Sequence, residues 1–150
     1  MVNKDNIFGK TEYALYNYKD LDLKIKSIDI DIECLKNDIT LKAITYEEKT
    51  GPTNAFNSSV ENEVIRRDEE VKEQIYRLEK NKLLHKSRKA KIELALNSLT
   101  EEERKLVEMR YFSKPTNSWV QIGLALNSDS AQCCRNRTGI INKISEYLFN

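Results

Sequence analysis

Leu21, Ile25, Ile28, Ile32, Leu35 and Ile39 recur at spacings of 4-3-4-3-4, and that seam leaves few folds open to the chain. A 3.5-residue repeat keeps one apolar line turned toward a partner helix along its whole length, whereas a half-buried strand alternates at every second residue. Asp20, Asp22, Lys24, Lys26, Asp29, Asp31, Glu33 and Lys36 fill the gaps as a solvated face. With Tyr18 and Ala14 extending the line backward, the seam predicts one long helix over roughly 11–45. The Gly51-Pro52 pair and its polar neighbours then predict a loop at about 49–59, with Ser58 or Ser59 capping the next helix. Val64, Val71, Leu78, His85, Ile92 and Leu99 stand seven apart, with Ile75 and Leu96 between, and predict a second long helix. The two helices either fold back seam to seam as an antiparallel hairpin or pair across a dimer.

The last third changes pattern. Thr100 with Glu103 makes a capping box, and Leu106, Val107 and Met109 to Phe112 predict a short buried helix ending near Pro115. Ser118 caps a helix over Trp119 to Leu126, Asn127 to Asp129 form a turn whose Asn tolerates a left-handed backbone, and Ser130 to Phe149 form the last helix. Ile122, Leu126, Cys133, Ile140, Ile144 and Leu148 are the expected inward residues, and Gly123 marks a close crossing. The expected fold is therefore all-α, with a helical arm over 11–95 and a helix-turn-helix domain over 96–150.

The final helix carries the chemistry. No acid lies between Ser130 and Ile144, while Gln132, Arg135, Arg137 and Lys143 do. A locally basic helix next to a small neutral one suits the major groove of duplex DNA and the phosphates that line it. Gln132, Arg135 and Arg137 are the expected groove contacts, because Arg and Gln match guanine and adenine edges. Ser130 and Thr138 join them, and Lys143 and Lys114 are expected on phosphates. The run Lys80, Lys82, His85, Lys86, Arg88, Lys89, Lys91 also lacks an acid and is a secondary phosphate candidate, although a solvated face reads the same way. The net charge of +1 confines any electrostatic argument to such local patches.

The segment LNSLTEEERKLVEMRYF at 96–112, followed by SWVQIGLAL at 118–126 and by residues 135–144, resembles region four of bacterial sigma factors. It is more similar still to phage late-gene transcriptional regulators of the RinA and ArpU type, which place a helical arm ahead of a sigma-region-four-like domain. That resemblance implies promoter binding, activation of late genes together with host RNA polymerase, and a bacterial cytoplasm. The chain departs from the pattern at Asn127, where Gly or His is usual, at Asn136, where an apolar residue is usual, and at Cys133-Cys134.

Other classes have less to stand on. One His and three Cys give no zinc-like spacing, so no metal or cofactor is expected, and no nucleophile–base pair or phosphate loop marks an enzyme. Cys133 and Cys134 are expected to be structural, His85 a seam residue and Trp119 a core residue against Tyr111 or Phe112. No apolar run reaches the ~20 residues that cross a bilayer, so no membrane partner is expected. The expected partners are double-stranded DNA, RNA polymerase and a second copy joined through the arm. The rival functions are a small-terminase-like DNA-packaging subunit and a coiled-coil adaptor that binds polymerase without DNA.

Overall fold

The computed structural model describes the backbone of residues 4–47 and 58–150 and the side chains of 6–38 and 62–150. The loop expected at 49–59 lies outside these residues except for Ser58 and Ser59, which already belong to a helix, and their capping side chains also lie outside. Every regular element among the described residues is helical: α1 Lys4–Tyr16, α2 Asp20–Glu47, α3 Ser58–Ser98, α4 Glu101–Val107, α5 Trp119–Leu126 and α6 Ser130–Phe149, with a π-helical turn at Glu108–Phe112. The chain divides into two compact units, Met1–Asp22 with Lys86–Asn150, and Leu23–His85.

The first unit holds most of the buried apolar residues, and both of its chain segments supply them. Leu15, Ile92, Val107, Ile122, Ile141 and Ile144 are fully buried, with Ala95, Leu106, Tyr111 and Cys133 beside them. Removing branched aliphatic side chains of this size from water contributes about 1.5–3 kcal/mol each. α6 lies against α5 and α1, and α1 also meets the Glu108–Phe112 turn. Tyr16 packs edge-on against Tyr111, and Tyr18 stacks on Phe112, each pair with ring centres 4.8 Å apart. Tyr18 also donates to Glu93 on α3 at 3.1 Å.

The expected single helix over 11–45 is two helices. Asn17 ends the first, because its side-chain amide donates to the Tyr13 carbonyl at 2.7 Å while its backbone N–H reaches the same oxygen at 3.2 Å. Asn competes in this way with regular helix bonding. The next amides bond three residues back, Tyr18 to Leu15 and Leu21 to Tyr18, and α2 restarts at Asp20 with Asp20 and Asp22 in its first turn, where acids suit the helix dipole. Residues 11–22 and 86–95, assigned to the arm from sequence, thus sit in the unit that contains 96–150. Ala14, in sequence an extension of the arm seam, is buried in that core, and Tyr18 packs against it.

In the second unit Ile28 and Ile32 are buried, and Ile25 and Leu35 half-buried, on α2. Val71, Ile75, Leu78 and His85 are half-buried on α3. These described seam positions are thus less exposed than their neighbours along each helix, and Ile39 of the first seam lies outside the described side chains. Lys82 pairs with Asp29, and Arg66–Glu70, Arg67–Glu63 and Arg77–Glu73 are i,i+4 pairs along α3.

Candidate nucleic-acid interface

Local chemistry fixes the frame around α6. Thr100 and Glu103 form the expected capping box of α4, and Ser118, expected only as a cap, also forms one: it accepts from the Gln121 amide while the Gln121 side chain accepts from Ser118 N–H. α5 ends in a left-handed Asn127 with φ 53° and ψ 40°. Ser128 N–H reaches back to Gly123 O at 2.9 Å and Asn127 N–H to Leu124 O at 3.5 Å, the paired bonds of a Schellman ending. Gly123 is required here, since a Cβ would meet Ser128 O at 2.7 Å and Ser130 N at 3.2 Å. The close approach is thus to the backbone of the turn and of the first residue of α6.

α6 buries Cys133, Ile140, Ile141 and Ile144. The 100° step of a helix then sets Gln132, Arg135, Asn136, Gly139 and Lys143 on the side next to this buried one, and all five are exposed. Gln132 is the hub. Its Oε1 accepts from Arg135 Nε at 3.3 Å and Nη2 at 2.9 Å, and its Nε2 donates to Asn136 Oδ1 at 2.8 Å. Both acceptor sites of the Gln132 carbonyl are thereby engaged, while Arg135 keeps Nη1 and Asn136 keeps its amide donors for another molecule.

The remaining predicted residues go elsewhere. Arg137 is turned inward: its guanidinium lies 5.5 Å from the Phe8 ring centre and 5.7 Å from that of Trp119, and it pairs with Glu12 at 3.5 Å. The stretch from Ser130 to Ile144 lacks an acid and reads as basic from sequence, yet Glu12 on α1 faces Arg137 across the helix pair. Arg137, expected as a groove contact, is thus turned toward α1 and away from the Gln132 side of α6. Thr138 is exposed but about 100° round the helix from the Gln132 face, and Ser130 is half-buried at the start of α6. Lys114 is exposed and pairs with Asp20 at 3.1 Å, far along the chain from α6. Lys143 pairs with Glu103 at 2.6 Å. Burial works against the Glu103 carboxylate, but the Lys143 ammonium and the Thr100 donors outweigh it and hold Glu103 below its ordinary value. The Lys114–Asp20 pair is the more exposed of the two, and pairs of that kind are worth about 0–1 kcal/mol.

Sequence reasoning missed Asn136, which stands out there only as a departure from the sigma-like pattern, and the Glu12–Tyr111–Arg137 cluster. Tyr111 donates to Glu12 at 2.6 Å, and burial followed by that bond pushes its ionisation far above the usual tyrosine range. Trp119 lies under Arg110, 4.7 Å from its ring centre, while the ring partners of Tyr111 and Phe112 are Tyr16 and Tyr18. In the 80–91 run, Lys89 pairs with Asp22 at 2.7 Å and Lys82 with Asp29, whereas Lys80, Lys86 and Arg88 are exposed. The face of α6 is not uniformly basic, since Glu102 and Glu103 line the same shallow depression as Arg135, Asn136 and Lys143. Among the described residues no helix is long and apolar enough to cross a membrane, and no His, Cys, Asp and Glu side chains cluster to hold a metal ion.

No curated protein and no solved structure matches the chain. A family profile does match it, from residue 10 to residue 146, spanning both the interrupted N-terminal helices and the α5–α6 frame. The chain therefore belongs to the family described as protein of unknown function, DUF722.

Proposed function

We propose that the protein binds double-stranded DNA sequence-specifically through α6 and acts as a transcriptional regulator, with α5, the 127–129 turn and α6 forming a helix-turn-helix. The observation that carries this reading is the exposed side of α6 over residues 132–143, where Gln132 holds Arg135 and Asn136 side by side with free donors. Arg135 matches the O6 and N7 edge of guanine, and Asn136 the N6 and N7 edge of adenine. Gly139, next along that face, carries no side chain and keeps it flat against a base edge. Lys143 and Lys114 would exchange their carboxylates for phosphates. In the same reading the arm is an antiparallel hairpin. The pairs Tyr18–Glu93, Asp22–Lys89 and Asp29–Lys82 support it, since they step forward on the N-terminal partner as they step back on α3. The resemblance to sigma region four and to the RinA and ArpU regulators implies promoter DNA of phage late genes as the target.

The test is selection from a random duplex pool, followed by binding to the selected and a scrambled duplex across a salt series. A selected motif containing guanine next to adenine, with affinity falling as salt rises, is the expected result. No preference for any duplex sinks the reading.

One observation favours the adaptor reading instead. Val120 and Leu124 on α5 are 63% and 77% exposed, an apolar pair beside the turn that suits a protein partner better than a phosphate backbone. If the double variant Val120→Glu/Leu124→Glu lost capture of RNA polymerase, and the wild type selected no DNA, that reading would replace the first.

A further inference from the structure

α3 carries a second apolar line, on the side opposite its seam. Ile65, Tyr76, Leu83 and Leu94 are each more than half exposed. Ile65 to Leu83 and Tyr76 to Leu94 both span ~18 residues, five whole turns, so the four fall on one stripe along the helix. From Ile65 the stripe runs through Glu69, Lys72, Tyr76, Leu83, Ser87 and Ala90 to Leu94.

The apolar positions of the stripe are symmetric about one point. Tyr76 and Leu83 are equally far from the point between Glu79 and Lys80, and so are Ile65 and Leu94. The same point relates Lys72 to Ser87 and Glu69 to Ala90. Turned end for end, the stripe therefore lays apolar residues on apolar ones, and long charged stems over small residues, which is what a self-complementary surface about a twofold axis requires. Charge fixes the direction. A parallel pairing stacks the acid-free stretch Lys80 to Lys91 on its own copy, whereas an antiparallel one sets it against the half that holds Glu69, Glu73 and Glu79.

We infer that this outer face of α3 docks against the same face of a second copy of the chain, antiparallel, with the twofold axis passing between Glu79 and Lys80. The inference specifies the surface for the dimer expected of the arm, and it is read by mass rather than by DNA affinity, so it fails separately from the DNA-binding reading. It places Tyr76 of each copy on Leu83 of the other, and Ile65 on Leu94.

Light scattering should give the wild type twice the 17.5 kDa of one chain. Tyr76→Glu/Leu83→Glu should give the mass of a single chain with unchanged helicity by circular dichroism, because both positions are exposed in the chain alone. A second measurement reads the geometry without disturbing the stripe. In a background with Cys34→Ser and Cys134→Ser, Glu79→Cys should form an intermolecular disulfide on mild oxidation, while Lys72→Cys should not. A monomeric wild type overturns the inference, as does a double variant that keeps the wild-type mass. So does cross-linking at both positions, the mark of a parallel pair, or at neither.

Discussion

Gly123 has no room for a side chain, and the obstacle is backbone that cannot swing away. Gly123→Ala should therefore destabilise the first unit by about 1–3 kcal/mol despite the gain in helix propensity, measurable as a lower urea midpoint. An unchanged midpoint would mean that the 127–129 turn relaxes freely. Tyr111 makes a second prediction, this time in pH. Burial and the bond to Glu12 raise its folded ionisation above the ordinary 10.0, so the hydroxyl ionises first in the unfolded chain. Its contribution is fully present below about 10 and is lost as pH rises above that value. Tyr111→Phe should cost about 1 kcal/mol near neutrality and shrink the alkaline fall in stability; Tyr18, also raised by burial and by Glu93, would keep part of it. Gln132 supplies the third, at the proposed base contacts. Its carbonyl is committed to Arg135, so Gln132→Ala should loosen selection at two adjacent bases and Asn136→Ala at one. If Gln132→Ala altered a single base, Gln132 would be reading it rather than positioning its neighbours.

At the scale of elements, α1 is part of the α6 frame. A fragment of residues 96–150 lacks Leu15, Leu21, Ile92 and Ala95 from the core, along with the Glu12 partner of Arg137, and should show no cooperative thermal transition. Cooperative melting of that fragment would show that α1 and the end of α3 are dispensable. Conversely, Ile28→Asp or Ile32→Asp should cost several kcal/mol in the second unit, where each would bury an unpaired carboxylate, and leave the near-ultraviolet signal of Trp119 in place. The bounds of α5 and α6 were legible in sequence because they rest on neighbours: Ser118 with Gln121, Asn127 in its left-handed turn, Asp129 ahead of an amphipathic run. The break at Asn17 was not, since Ala14 and Tyr18 continue the apolar period through it, and only docking against Phe112 and Glu93 shows what the turn gains. The direction of Arg137 was hidden for the same reason, as its acid stands on α1, at the other end of the chain. The all-α class came from local periodicity, whereas the membership of each unit depended on contacts between distant segments.

At the scale of the molecule, burial is uneven. The first unit has many fully buried aliphatic residues, while among the described side chains of the second only Ile28 and Ile32 are buried. In the Tyr76→Glu/Leu83→Glu variant amide exchange should mirror this, with the slowest amides around Ile92, Ile122 and Ile141 and at least tenfold faster exchange along α3 before His85. Equal protection in both units of that variant would mean that side-chain burial does not set their local stability. The joining of α1 to α6 also has a consequence for biosynthesis. Leu15 leaves the ribosome long before Ile141, with roughly 125 residues between them, which at about 5–20 residues per second is several seconds of translation. During that interval the apolar side of α1 has no α6 to cover it and is open to chaperones or to neighbouring nascent chains. The surface proposed to read DNA is accordingly completed well after α1 and α3 have been made, and a message truncated before Ile140 yields a chain that keeps the proposed α3 docking face without the proposed reading surface.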